Sequence, residues 1–303
     1  MTRYVAADEK GQDGPQHTQS WFRAPRDVNY NCRTMAKPAQ IHLGTSAFTA
    51  DGWEGVFYPA GLKPADYLSH YATQFGSVEV DSTFYRIPTA AMVKRWYDVT
   101  PKGFVFSAKV PQVITHEKML EDSGDDLKQF LRAMDNLKEK LGPLLFQFPY
   151  FNKKKFAKPE DFFERLWPFL GDLPKGYQFV VEVRNKNFLV PVLADSLRQR
   201  GIALALIDHP WMPPVDQLFQ RFDPITADFT YIRWLGDRYG IEKVTTTWSK
   251  TVVDRRRALS EWAKACRIIL KRGVSIFAYA NNHYAGHAPA TIRMFEGIFE
   301  KTK

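Results

Sequence analysis

From Ile41 onward, short runs of β-branched and aromatic residues alternate with longer stretches whose apolar positions recur every three or four residues. The short runs predict eight strands, at 41–48, 78–85, 104–110, 144–148, 179–184, 203–208, 230–235 and 275–282. The longer stretches predict helices at 64–75, 89–99, 125–141, 159–170, 191–200 and 253–271, with another after Pro289. In the third of these, Leu127, Phe130, Leu131, Met134, Leu137 and Leu141 share one helical face, Ser123 is placed to cap the start, and Gly142 stops the pattern. One connection, 209–228, carries Trp211, Pro213, Pro214 and Pro224, and its prolines predict an irregular loop.

Strict strand–helix alternation over about 260 residues fits a closed (β/α)8 TIM barrel, an α/β fold with an irregular connection between strands six and seven. A doubly wound sheet would more often open on a glycine-rich turn, and no GxGxxG is present. Residues 1–38 show neither period and are read as a disordered extension, which leaves 39–303 as one barrel domain. Met35, just before the first strand, is an alternative start that would leave the preceding residues out of the native protein.

Buried parallel strands should be almost wholly apolar, so ionisable residues inside them are the informative anomaly. The second strand alternates Val78, Glu79, Val80, Asp81, which puts both carboxylates on the face opposite the valines. In a barrel the valines meet the helices and the acids point inward. The fifth strand repeats the device with Glu182 and Arg184 against Val181 and Val183. Lys109, Gln147, Asp208, Arg233, Asn281, Asn282 and His283 fall at the same end of the other strands, where barrel enzymes assemble their sites. Glu79, Asp81, Lys109 and Glu182 are the catalytic candidates; Tyr85, His116, Gln147, Arg184, Asp208, Arg233, Asn281, Asn282 and His283 are the ligand-binding ones. The structural alternative is an internal ion-pair network in which Lys109, Arg184 and Arg233 answer the three acids.

The segment 283–289, HYAGHAP, places Pro289 in the first turn of the last helix with no Ser, Thr or Asp directly before it, an end that water caps or that is open to a ligand anion. Aromatic residues Trp53, Tyr58, Tyr85, Trp211, Trp234, Tyr239, Trp248 and Tyr284 lie on the predicted upper loops, where they either stack on a ring or pack the loops.

Composition adds limits. With 45% hydrophobic residues the chain can build a large core, and no run reaches the roughly 18 apolar residues of a membrane span. A cytoplasmic protein is expected, with no membrane partner. The net charge of +9 favours encounter with polyanions without fixing any chemistry. Of the 2 cysteines, Cys32 and Cys266, the latter sits on an apolar helical stripe, so neither a disulfide framework nor a cysteine metal site is supported. No organic cofactor motif is present. A divalent metal held by Glu79, Glu182, Asp208, His116, His209 or His283 is conceivable, but neighbouring lysine and arginine would compete for the carboxylates, so no metal site is assigned.

The segments GTSAF at Gly44, GVFYP at Gly55, VEVDSTFYRIP at Val78, FVFSAKVP at Phe104 with ITHEK after it, FQFP at Phe146, VVEVRNKNF at Val180 and NNHYAGHAP at Asn281 resemble, in order, the YecE-like family, a domain of unknown function. The resemblance covers nearly everything from Ile41 onward. It implies a TIM barrel distantly like those of endonuclease IV and xylose isomerase, with no settled activity. Asp81 departs from the family pattern, which more often has Asn there.

Two functions follow as expectations. The first is an enzyme of hydrolase or isomerase type acting on a phosphorylated, sugar-containing or nucleic-acid substrate, with Glu182 or Asp81 as general base and Lys109, Arg184 and Arg233 holding an anion. The nearby carboxylates should keep Lys109 protonated, which suits a clamp better than an amine nucleophile. The second is a non-catalytic protein that binds nucleic acid or a metabolite. A barrel that only scaffolds a partner is the third reading, and oligomeric state is left open.

Overall fold

The computed structural model describes residues 38–301. The sequence reading of residues 1–37, including the extension, Met35 and Cys32, falls outside them.

Eight parallel strands form: β1 (Ile41–Thr45), β2 (Ser77–Val80), β3 (Val105–Lys109), β4 (Leu141–Gln147), β5 (Phe179–Glu182), β6 (Ala203–Asp208), β7 (Phe229–Trp234) and β8 (Ser275–Ala280). Their order, β1-β8-β7-β6-β5-β4-β3-β2, is sequential around a ring, the arrangement of a (β/α)8 barrel. Helices α1 (Tyr67–Gln74), α2 (Ala90–Asp98), α3 (Gly124–Met134), α4 (Pro159–Gly171), α5 (Pro191–Gln199), α6 (Val215–Arg221), α7 (Arg238–Ile241), α8 (Arg256–Lys271), α9 (Asn282–Ala285) and α10 (Ala288–Lys301) lie in the connections and after the last strand.

The 209–228 connection departs from its expectation by holding a helix. Pro214 sits at the N-cap of α6 and Pro224 lies beyond its end, so the prolines bracket the helix rather than interrupt it. Val215 and Leu218 give it an apolar anchor. The long helix expected over 125–141 stops at Met134, and a tighter 3-10 segment with a kink at Lys138 (φ 49°) carries the chain to β4.

The register carries one side-chain parity around the ring. Ser77 and Glu79 face the interior with Ser107 and Lys109, Leu145 and Gln147, Val180 and Glu182, Ile207, Tyr231 and Arg233, and Phe277 and Tyr279. The other parity, including Val78, Val80, Phe106, Phe146 and Val181, packs against the helices in one continuous apolar core. Inside, the lower barrel is closed by His42 stacked on Phe277 at 4.6 Å. Above it the Tyr279 hydroxyl meets Ser77 Oγ at 2.6 Å and Ser107 Oγ at 2.7 Å.

The seam between β1 and β2 is bridged by a side chain. The Tyr71 hydroxyl, delivered by α1, accepts from the Thr45 amide at 2.8 Å and donates to the Ser77 carbonyl at 3.1 Å. Gly44 permits this approach, because a Cβ there would stand 2.0 Å from the Ser77 carbonyl oxygen. Tyr71→Phe leaves a buried amide and a buried carbonyl unanswered and should cost about 1–3 kcal/mol in urea unfolding. An unchanged midpoint and slope would show that the hydroxyl does not close the ring.

Candidate functional site

The interior parity brings Glu79 from β2, Glu182 from β5 and Arg233 from β7 together across the barrel. Arg233 is 2% exposed and both glutamates are fully buried. Its Nη2 donates to Glu79 Oε1 at 2.7 Å, its Nε to the same oxygen at 3.2 Å, and its Nη1 to Glu182 Oε2 at 3.0 Å. Tyr231 donates to the other Glu79 oxygen at 2.6 Å, and Arg184 Nε donates to the other Glu182 oxygen at 2.5 Å. Every carboxylate oxygen of this pair therefore has a donor.

Asp81 stands differently. β2 ends at Val80 and Asp81–Phe84 is a 3-10 turn, so the strand alternation expected to reach Tyr85 stops five residues early. The cause is local: Thr83 Oγ1 donates to the Val80 and Lys109 carbonyls, which satisfies the strand end and fastens the turn to β3. Asp81 still reaches the site, with Oδ1 3.5 Å from Arg233 Nη2 and a side chain 29% exposed. Only one of its oxygens is engaged, and weakly.

The turn also sets Phe84 beneath Lys109, whose Nζ lies 3.7 Å from the ring centroid. Among the described residues Lys109 has no carboxylate within ion-pair distance. Burial lowers its pKa from the ordinary lysine range, Arg233 adds to that, and Asp81, Glu182 and Glu79 oppose it without prevailing. Desolvation thus outweighs the pull of the nearby carboxylates on this amine. His116, on a turn of π-helix (Val113–Glu117), touches Phe84 edge-on at 4.8 Å and holds Thr115 through Nδ1. Burial, with Lys109 and Arg184 nearby, pushes it down to about 4, so its imidazole is neutral at pH 7.

The two buried glutamates titrate in opposite directions. Burial raises both, and at Glu79 it prevails over Arg233, helped by the neighbouring Asp81 charge. At Glu182 the Arg184, Arg233 and Lys109 charges together overcome burial and hold the carboxyl down at about 2. Arg233 has all three nitrogens engaged by protein carboxylates, and both Glu182 oxygens accept from arginines, so the anion-holding role expected of Arg233 and the general-base role expected of Glu182 would each compete with these bonds.

Other candidates are placed apart from this cluster. Asp208 has the outward parity, and its Oδ2 accepts from Trp262 and Tyr284, both at 2.8 Å. Tyr85 is 74% exposed on the turn after β2. Gln147 faces inward but donates back to the Phe148 carbonyl. β8 stops at Ala280. Asn281 Oδ1 then accepts from the His283 amide and lies 2.6 Å from its Nδ1, while His283 Nε2 lies 3.1 Å from Glu242 Oε1. Asn282 Oδ1 takes the Trp53 indole N–H at 3.3 Å and the Ala288 amide at 2.9 Å. The last of these fills part of the opening for an anion expected at the start of α10. Of the loop aromatics, Trp53, Tyr58, Trp234 and Tyr284 are buried packing, whereas Trp211 and Tyr239 are exposed. Tyr231 and Ser46 escaped the sequence reading, although Tyr231 shares Arg233's parity two residues earlier and so was open to the same argument.

No three His, Cys, Asp or Glu gather into a metal-binding set among the described residues. No helix among them is long and apolar enough to cross a membrane.

The model of a protein family of unknown function, DUF72, matches residues 42–303. The chain belongs to the DUF72 family. It is 32% identical over 146 residues to UPF0759 protein YecE of Escherichia coli K12, covering 46% of this chain and 52% of that protein. It is 29% identical over 183 residues to UPF0759 protein YunF of Bacillus subtilis, covering 56% and 61%. The matched stretch thus spans about half the length of these curated relatives. Among solved structures, a DUF72 family protein from Thermotoga maritima superposes with a TM-score of 0.59 at 25% identity, over 87% of this chain and 98% of that one. Another, from Enterococcus faecalis, gives 0.62 at 19% identity, over 86% and 98%, a likeness of fold alone.

The opposed glutamate shifts give a signed expectation. A carboxyl depressed in the folded state stabilises above its unfolded pKa, near 4.5, and loses that contribution as pH falls toward about 2. Glu182→Gln should therefore cost on the order of 3 kcal/mol at pH 7 and progressively less below pH 4.5. Glu79, raised instead, gains no such stabilisation from ionisation, so Glu79→Gln should cost less than Glu182→Gln at pH 7. Urea unfolding of both variants at pH 7 and pH 3 checks the order, and equal losses at both pH values would contradict it.

Proposed function

We propose that the upper mouth of this DUF72 barrel binds a phosphate-bearing small molecule and that Asp81 acts on it as general base, in a hydrolysis or an isomerisation. The observation that carries this reading is the division among the cations. Each Arg233 nitrogen is engaged by a protein acid, whereas among the described residues Lys109 has no ion-pair partner and Arg184 engages only its Nε, leaving both Nη groups to a ligand. Two cations with available donors beside a half-engaged carboxylate give an anion clamp and a proton acceptor in one mouth. His116, neutral and with Nε2 unpartnered, adds a hydrogen-bonding group that carries no charge of its own at pH 7.

Lys109→Met should weaken binding of a phosphate ester roughly tenfold to a hundredfold, the size of one charge-assisted hydrogen bond, with little change in thermal stability. Binding that ignores Lys109 and falls steeply with salt would instead point to surface lysines and arginines engaging a polyanion such as nucleic acid.

A second reading is favoured by one observation, the lowered pKa of a lysine that lacks a carboxylate partner. Such an amine suits attack on a carbonyl carbon, forming an imine with loss of water. Borohydride added with a carbonyl-containing phosphate ester should then fix the ester's mass on Lys109, and the absence of any adduct leaves Lys109 as a clamp.

A further inference from the structure

Beside Asp81 the mouth has a second polar wall. A small cleft is lined by Thr45, Ser46, Trp53, Asp81, Asn281 and Asn282, together with small residues. Among the described residues no lysine or arginine lines it. Its chemistry therefore differs from that of Lys109 and Arg184, with which it shares Asp81 as a common boundary.

Three features of this wall call for a ligand. Ser46 is 3% exposed and its Oγ has no hydrogen-bond partner, although buried hydroxyls are normally paired. Its backbone is held firmly, the Ser46 amide donating to the Ala280 carbonyl at 3.0 Å while Thr45 is fixed by Tyr71. Asn281 and Asn282 are each oriented by bonds to their Oδ1 atoms, which leaves each Nδ2 without a protein acceptor. Asp81 contributes its second carboxylate oxygen.

Together these groups offer two amide donors, a hydroxyl able to give or take, and an anionic acceptor. A phosphate would meet the negative charge of Asp81 here with no cation to offset it. An apolar group would leave Ser46 and both amides unanswered. Adjacent alcohols, each donating one hydrogen bond and accepting others, match the set.

We propose that this cleft is a hydroxyl-binding subsite, so that the ligand of the mouth is a phosphorylated sugar or polyol. Its hydroxyls meet Ser46, Asp81, Asn281 and Asn282, and its phosphate is held by Lys109 and Arg184. The ester assignment rests on the phosphate-binding reading above, and the hydroxyl subsite stands on its own residues. Asp81, contacting a ligand hydroxyl, is also the atom placed to take that hydroxyl's proton.

Calorimetric titration of wild type, Ser46→Ala and Lys109→Met separates the two. The probes are inorganic phosphate, ribose 5-phosphate, glucose 6-phosphate, glycerol 3-phosphate and the unphosphorylated ribose, glucose and glycerol. At least one ester should bind wild type roughly tenfold tighter than inorganic phosphate, and Ser46→Ala should remove roughly threefold to tenfold of that gain, one neutral hydrogen bond, without changing phosphate binding. Its melting temperature should hold or rise, because the change removes an unpaired buried hydroxyl; a merely structural Ser46 would lower melting and leave ester affinity alone. Esters that bind no tighter than phosphate, or a gain that survives Ser46→Ala, would overturn the hydroxyl subsite and leave phosphate binding standing. Ser46-dependent binding of a free sugar with no phosphate binding would overturn the phosphate reading and keep the subsite, and no binding by any probe would overturn both.

Discussion

The guanidinium of Arg233, gripped between Glu79 and Glu182 in the centre of the barrel, is the contact on which the rest of the site depends. An ion pair this deep pays a desolvation cost that apolar packing would avoid, so its presence is weakly explained by stability alone. Its geometric effect is clearer. By saturating two acids and one arginine, it fixes the floor of the mouth and leaves Lys109, Arg184 and Asp81 above it with incompletely satisfied polar atoms. The Tyr231 hydroxyl completes this floor, and the Tyr279, Ser77 and Ser107 hydroxyls form a polar layer beneath it.

Much of this was legible in the chain because a period of two is a strong constraint. Once Val78 and Val80 are assigned to the helix side, Glu79 must point inward, and the same holds for Glu182 against Val181. The parity failed where side chains bond to their own backbone. Thr83 ends β2 by bonding to Val80, and Asn281 ends β8 by capping α9 through the His283 amide, so Asp81, Tyr85 and Asn282 leave the strand geometry from which they had been placed. Asp208 was lost for the opposite reason. β6 is apolar on both faces, so alternation carried no sign of which way its terminal carboxylate turns, and the partners that decide it, Trp262 and Tyr284, come from distant elements.

Three-dimensional context also reassigned roles that residue type alone could not. The sequence offered three acids and three cations as equivalent members of a cup. Distances separate them into a closed group, in which every charged atom is answered, and an open group at the surface of it. The pKa directions follow the same division: Glu182 lies among three cations and is held ionised, while Glu79 shares its arginine with a second carboxylate and is pushed the other way.

Asp81 is the hinge of the proposed chemistry. By residue type Glu79, Asp81 and Glu182 match Lys109, Arg184 and Arg233 in number, three acids to three bases. An asparagine at 81 would leave one basic group in excess and favour tighter anion binding, while removing the carboxylate that has an available oxygen. In this chain the balance is tilted the other way: some attraction for a phosphate is given up, and a proton acceptor stands where the cationic side of the mouth meets the hydroxyl-lined cleft. A ligand spanning both sides would therefore bring a hydroxyl to the one carboxylate able to take its proton.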